Sequence, residues 1–501
     1  MIPFFTFRQG CLAFLCLTAL SGCESPQESA APLGASASQD GKSKDTPFRS
    51  YQPADFLGPA GGSNTVNQAD ALAFDQPSPA LSGDERQYHE LGGTNFDHQF
   101  SLQQLAPLWN NNRCVACHVA GGRSALGRNP LIPQLLFRVS IPGTNADGGP
   151  NPVPGFGDQI QPVFLLNGAL AFNTGPEGAV STSYVDELKS FMDGQPYSLR
   201  TPTYTPSAAL PATVMLSPRI GPQIAGLGLL EAVAGRDIEE LADPTDRDGD
   251  GISGRPNYVW DVALQRTVIG RFGWKANQPN LLQQAAAAYN GDMGITSPLF
   301  PLESNVPGGG RNKQGPGKVM RTSGLSSVAA AEAILDNGSS TVTDITTQEL
   351  FTTAFYAGTL GVPAARNTTD PQVLAGQALF VSAKCAACHA PVLQTSSAPF
   401  GLGSQTIHPY TDLLLHDMGS GLADGRPDFQ ASGSEWRTAP LWGLGLSATT
   451  SRHTNYLHDG RARNVLEAVM WHGGEGEVSR QYVERLSQTD RDALVAFVNS
   501  L

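Results

Sequence analysis

Helical periodicity along this chain is sharpest in its C-terminal part. Asp370-Pro371 pairs an N-cap with a proline at the first helical position, and the helix it opens sets Val373, Gly376 or Gln377, and Phe380 on one stripe. Thr489 with Asp492 begins a last helix whose Leu494, Phe497, Val498 and Leu501 share a face. Further upstream, Thr346-Thr347-Gln348-Glu349 is a capping box for a helix that runs toward Gly361 and must end before Pro363. Between about 130 and 350 the pattern weakens into Gly/Pro-rich loops, with Asp186 to Met192 and Ser326 to Leu335 as the clearer helical pieces. Residues 24 to 85 are rich in Ser, Ala, Pro, Gln and Asp and carry little apolar periodicity. They predict a flexible tether that becomes ordered near Phe56. The apolar run Leu12 to Ala19 is too short to span a bilayer.

Composition changes this picture in two ways. A chain of 501 residues suggests more than one core, while 55 glycines and 37 prolines mean much loop and turn. The net charge of −13, with no Lys/Arg cluster, argues against a nucleic-acid partner. At the N-terminus, Arg8 and the apolar run read as a processing segment over residues 1–22, ending at Leu20-Ser21-Gly22-Cys23. That tetrapeptide resembles the lipobox of bacterial lipoproteins. The resemblance implies a lipidated Cys23, loss of Cys11 and Cys16, and a lipid anchor in the periplasm or outer membrane.

The remaining cysteines carry the strongest signal. All four lie in two pentapeptides, Cys114-Val115-Ala116-Cys117-His118 and Cys385-Ala386-Ala387-Cys388-His389. Cys-x-x-Cys-His is the attachment signature of c-type haem: two thiols add to the porphyrin vinyl groups and the adjacent imidazole becomes the proximal iron ligand. The competing reading, one four-cysteine zinc site, gives the two histidines no role. Two covalently bound haems are therefore expected, on Cys114, Cys117 and His118 and on Cys385, Cys388 and His389. A helix carrying Gly376 and Phe380, then the second motif, then a C-terminal amphipathic helix resembles the cytochrome c fold, whose two helices cross at a small residue. The expected architecture is mainly α with many loops. It comprises an N-terminal haem domain over 86–362 enlarged by long insertions, and a C-terminal cytochrome c-like domain over 363–501, after the tether at 23–85.

The stretches Arg437-Thr438-Ala439-Pro440-Leu441-Trp442 and Tyr456-Leu457-His458-Asp459-Gly460-Arg461 resemble the C-terminal haem domain of bacterial di-haem cytochrome c peroxidases. In that superfamily the sixth ligand of the C-terminal haem lies about fourteen residues after the histidine of the His-Asp-Gly element, as Met or Tyr. The matching position here is His472, which the resemblance implies as distal ligand, with Met470 and Met418 as runners-up. Further runs are similar to one branch, the di-haem oxidoreductases sometimes labelled thiol oxidoreductases: Ser217-Pro218-Arg219, Gly226 to Glu231, Gly270 to Ala276, Asp292 to Thr296 and His416 to Gly419. This likeness covers most of residues 86–501.

Taken together, these residues predict a periplasm-facing, peroxidase-like oxidoreductase of a small-molecule oxidant or substrate. Electrons from a periplasmic partner would enter at the C-terminal haem, and the chemistry would occur at the N-terminal one. The rival is a non-catalytic electron-transfer cytochrome. Glu231, at the end of an apolar run, is the candidate proton carrier, and Trp274 a candidate electron bridge. Asp246, Asp248 and Asp250 match the first half of a calcium loop, although Asn257 stands where its bidentate glutamate belongs.

Overall fold

The computed structural model describes residues 49–501 apart from 57, 102–103, 106–107, 127–134, 155–156, 167–168, 173–178, 208 and 303–342. The lipobox with Cys23, the apolar run before it and the helix expected at Ser326 to Leu335 lie outside these residues. Among the described residues no helix is long and apolar enough to cross a membrane.

The architecture is not mainly α. Strands account for a fifth of the chain against 31% helix, and they form many small sheets. Leu135–Thr144 pairs antiparallel with Met215–Ile220, and Pro150–Asn151 and Gln159–Ile160 also pair with it. Val180–Ser190 and Pro196–Pro206 form a long hairpin paired over eleven residues on each side. That hairpin absorbs the helix expected from Asp186. Leu188 and Met192 stand at helical spacing, but here they face solvent at 77% and 73% exposure. Half-buried Val180, Thr182 and Tyr184 set the actual period of two.

Helices nevertheless frame both haem motifs, in the same way. Pro371–Ser382, capped by the Asp370 carboxylate on the Gln372 N–H, crosses Gln488–Ser500 at Gly376. A β-carbon on Gly376 would lie 2.0 Å from the Ala493 carbonyl oxygen. The last helix starts slightly earlier than expected, with Ser487 accepting from Asp490 N. In the N-terminal half, Gly83–Asp97 crosses Thr347–Gly358 at Gly92, where a β-carbon would lie 2.0 Å from the Thr352 carbonyl oxygen. The capping box Thr346/Glu349 opens the second of these helices, as its spacing predicted.

Pro47–Leu501 forms one compact unit. Packing begins at Arg49, whose guanidinium pairs with Asp412 at 2.9 Å. Thr65–Val66 pairs in parallel with Val362–Pro363, and Ala73 and Phe74 are wholly buried. The later part of the expected tether is therefore core. The boundary expected at 362/363 runs through shared packing as well. Trp442 belongs to the same apolar cluster as Leu229, Leu281 and Phe355, and its carbonyl accepts from Gln223 Nε2 at 2.6 Å.

Candidate functional site

Each Cys-x-x-Cys-His motif begins with a single 3-10 turn, Cys114–Ala116 and Cys385–Ala387, which the following histidine closes. The backbone N–H of His118 donates to Cys114 O at 3.0 Å and that of His389 to Cys385 O at 2.9 Å. The imidazoles are oriented alike. Nδ1 of His118 donates to the Gly122 carbonyl at 3.3 Å, and Nδ1 of His389 to the Tyr410 carbonyl at 3.0 Å. A carbonyl can only accept, so in both rings Nε2 keeps its lone pair for a metal. Burial pushes His389 down to about 4 and lowers His118, which keeps both rings neutral.

A phenylalanine flanks each imidazole, four residues after the glycine at the helix crossing. Phe96 follows Gly92 and lies 6.2 Å from His118; Phe380 follows Gly376 and lies 6.4 Å from His389. Sequence reasoning picked out only the second Gly-x-x-x-Phe, because Phe96 stands much farther from its motif. The pattern shared by the two helices was the signal that would have found the first.

Beside the second motif opens a cavity enclosing about 1380 Å³ of space not filled by atoms, part of it open to solvent. Its apolar wall includes Phe380, Leu444, Val469, Leu494 and Val498, and His389 and His472 both face it. His472 Nδ1 donates to Ala468 O at 2.7 Å, which again leaves Nε2 available, and burial keeps the ring neutral. Met418 lines the same cavity, whereas Met470 is packed into the C-terminal core and does not. His458 stacks on Trp436 with centroids 3.7 Å apart and planes 11° from parallel; burial pushes it down to about 4. His416 sits between Asp412 (3.0 Å) and Glu475 (2.6 Å), beside Cys388 Sγ at 3.5 Å.

These residues fit a porphyrin: an apolar chamber, two half-buried thiols and neutral imidazoles with free Nε2 atoms. They do not assemble a zinc site. Among the described residues, the only group of three or more metal-capable side chains is Asp246, Asp248 and Asp250, whose oxygens lie within 4.8 Å of one another. Asn257, the twelfth position of that loop, is turned into the core, where Nδ2 donates to the carbonyls of Lys275 and Asp428.

Trp274 and Glu231 part company. Trp274 is buried, lines the cavity, and donates from Nε1 to the Ile220 carbonyl at 2.7 Å. The next residue, Gly221, is so close to His118 that a β-carbon there would lie 2.9 Å from the ring. Trp274 thus lines the second cavity and is bonded to the residue before Gly221, which packs on the first imidazole. Glu231, by contrast, does not line that cavity. It ends the Leu227–Glu231 helix, accepts the Leu281 N–H at 2.9 Å and faces Arg271, so the carboxylate serves the first turn of Leu281–Met293.

Two matching imidazole sites, one with an apolar chamber, define a haem-binding redox protein. The family model described as "Di-haem oxidoreductase, putative peroxidase" matches residues 57–501, and the chain belongs to that family. It is accordingly a di-haem, peroxidase-like oxidoreductase by family. No curated protein and no solved structure matches it.

Proposed function

We propose that this chain is a periplasm-facing c-type di-haem peroxidase in which the second haem takes in electrons and the first reacts with peroxide. Cys114, Cys117, Cys385 and Cys388 would form thioethers to the vinyl groups, His118 and His389 would be the proximal ligands, and His472 would close the second haem. Haem at these sites supplies an iron that cycles between oxidation states and, where its sixth position is open, takes peroxide. The observation that carries the reading is Trp274: one indole forms part of the second chamber and is bonded to the backbone that packs on His118. Such an arrangement suits transfer of electrons between two centres.

The chain's own part is to hold the two imidazoles neutral, to line the second chamber with apolar side chains and to place an aromatic ring at that chamber, bonded to the backbone beside His118. Reduction of hydrogen peroxide to two waters consumes two electrons and two protons. The electrons would come from a periplasmic donor and the protons from solvent. Attachment to a membrane through Cys23 and a periplasmic or outer-membrane location belong to the same proposal, supported by Leu20-Ser21-Gly22-Cys23 and by the compartment in which c-type haem is assembled. Calcium on Asp246, Asp248 and Asp250 belongs to it too.

Stopped-flow mixing of anaerobically reduced protein with hydrogen peroxide tests the reaction. Reoxidation of both haems, with cyanide binding to one of them, is expected. Two six-coordinate low-spin haems that bind neither cyanide nor peroxide in any redox state would leave an electron carrier instead. Mass spectrometry of the mature protein tests the attachment and the lipid.

A further inference from the structure

Seven lysine and arginine side chains are buried among the described residues: Arg123, Arg219, Lys275, Arg426, Arg437, Arg461 and Arg491. Five of them are ion-paired. Lys275 meets Asp424 at 2.9 Å, Arg461 meets Asp459 at 2.8 Å, Arg491 meets Asp193 at 2.8 Å, and Arg219 and Arg426 share Asp428 at 3.0 and 3.1 Å. Arg123 and Arg437 have no such partner, and both line the cavity beside His389. A buried cation without a counter-charge costs several kcal/mol, so two of them facing one chamber call for an anion inside it.

The contacts they do make are to neutral groups. Arg437 donates from Nε to Gly273 O at 3.0 Å and from a terminal nitrogen to Thr438 O at 2.9 Å. Asp412 is the carboxylate that acts on it from a distance, and Asp412 is already bonded to Arg49 and His416. Arg123 is poorer still. Nε has no hydrogen-bond partner, a terminal nitrogen reaches Leu457 O only at 3.5 Å, and the guanidinium lies between the rings of Trp274 and Tyr456, at 5.6 and 5.5 Å. Burial pushes both arginines down to about 10.

The backbone of Arg123 adds the second half of the argument. The residue before it, Gly122, supplies the carbonyl that orients His118. Arg123 itself is pinned from both sides, its N–H by Ser451 Oγ at 2.8 Å and its carbonyl by His453 Nε2 at 3.2 Å. One residue therefore has its side chain in the second chamber and its peptide on the proximal imidazole of the first.

We propose that Arg123 and Arg437 bind the carboxylates of the group that fills this chamber, the propionates of the second haem, and that Arg123 thereby couples that haem to the His118 centre. The guanidinium fork suits a carboxylate, to which it donates two parallel hydrogen bonds. The proposal rests on the di-haem reading of the two motifs. Arg123 acts here as a positioning residue, because it reaches the first centre only through Gly122.

The test uses the full-length haem-loaded protein and spectroelectrochemical titration of each haem. Arg123→Gln removes a cation beside an anionic porphyrin edge, which favours the ferric state. The midpoint potential of the second haem should fall and the electron paramagnetic resonance signal of the first should shift. Arg123→Lys should return the potential most of the way to the wild-type value, and Arg437→Gln should lower it independently. If Arg123→Gln fails to fold or load haem, Arg437→Gln carries the test. Haem-loaded Arg123→Gln and Arg437→Gln with unchanged potentials overturn the proposal, as does an unchanged potential in Arg437→Gln where Arg123→Gln does not load haem. A wild-type protein with the mass of the bare chain and no Soret band overturns the di-haem reading itself, a result distinct from the others.

Discussion

His472 and Met418 approach the same point from different segments. A β-carbon on Gly476 would meet the His472 β-carbon at 3.0 Å and the Met418 methyl at 3.2 Å, so the two side chains are neighbours beside the second chamber and compete as ligand of the iron proposed there. The imidazole is the better prepared, since its Nδ1–H is held by Ala468 O and burial keeps it neutral. Replacing His472 with Ala should turn one low-spin haem high-spin, read by electron paramagnetic resonance or resonance Raman, while Met418→Ala leaves it low-spin. The opposite pattern would assign the ligand to Met418. Glu231 supports a different expectation. Its oxygen satisfies an N–H at the start of a helix, so Glu231→Gln should cost about 1 kcal/mol of stability in denaturant melts. Peroxide reduction by that variant should stay close to wild type. A loss of turnover at unchanged stability would return Glu231 to the role of proton carrier.

Helix crossings are where this fold is least forgiving. Gly376→Ala would push a methyl group against the Ala493 carbonyl, and neither helix backbone can move without disturbing the other. A loss of about 1–3 kcal/mol is expected, together with weaker haem retention at the second site; a variant that melts like wild type would refute the tight crossing. The N-terminal pair carries a pH-sensitive contact as well. His89 donates or accepts at Nδ1 with Thr359 Oγ1 at 2.8 Å and packs on Tyr356, and burial pushes it from 6.5 down to about 4. Above pH 6.5 the ring is neutral in both folded and unfolded chains and contributes no slope. Between about 6.5 and 4 the unfolded chain takes up a proton that the folded one refuses, so stability falls as pH falls, by up to ~3 kcal/mol. Thermal melts at pH 7 and pH 5 should show a shallower acid loss in His89→Gln than in wild type. These elements also mark how far local pattern reaches. Asp370-Pro371 and Thr346/Glu349 were legible because caps act within one turn. The hairpin over Val180–Ser190 was not, because its apolar pair Leu188 and Met192 imitates a helix while its true period is set by burial against distant residues.

At the scale of the whole molecule, the two Cys-x-x-Cys-His motifs and the family they mark could be read directly from the sequence. Their surroundings could not: Arg123 reaches the second chamber from the first motif's loop, and Trp442 closes a core built largely from the other half. The acidic loop is joined to the same chamber by two routes. Lys384, the residue before Cys385, lies 3.5 Å from Asp250. Beyond the loop, Ile252 lines the chamber, and Ser253 bonds through N and Oγ to Glu475, which holds His416 beside Cys388. Three carboxylates within 4.8 Å repel one another, and a divalent cation relieves that repulsion and stiffens the loop. Removing calcium with a chelator from the haem-loaded protein should therefore lower the melting temperature and alter the spectrum of the second haem. The first haem should keep its signal. Asp248→Asn should reproduce the change without chelator, and added calcium should no longer reverse it. Identical melting temperatures and spectra in excess calcium and in excess chelator would mean that the loop is an acidic turn, held by hydrogen bonds to its own carboxylates and by Lys384.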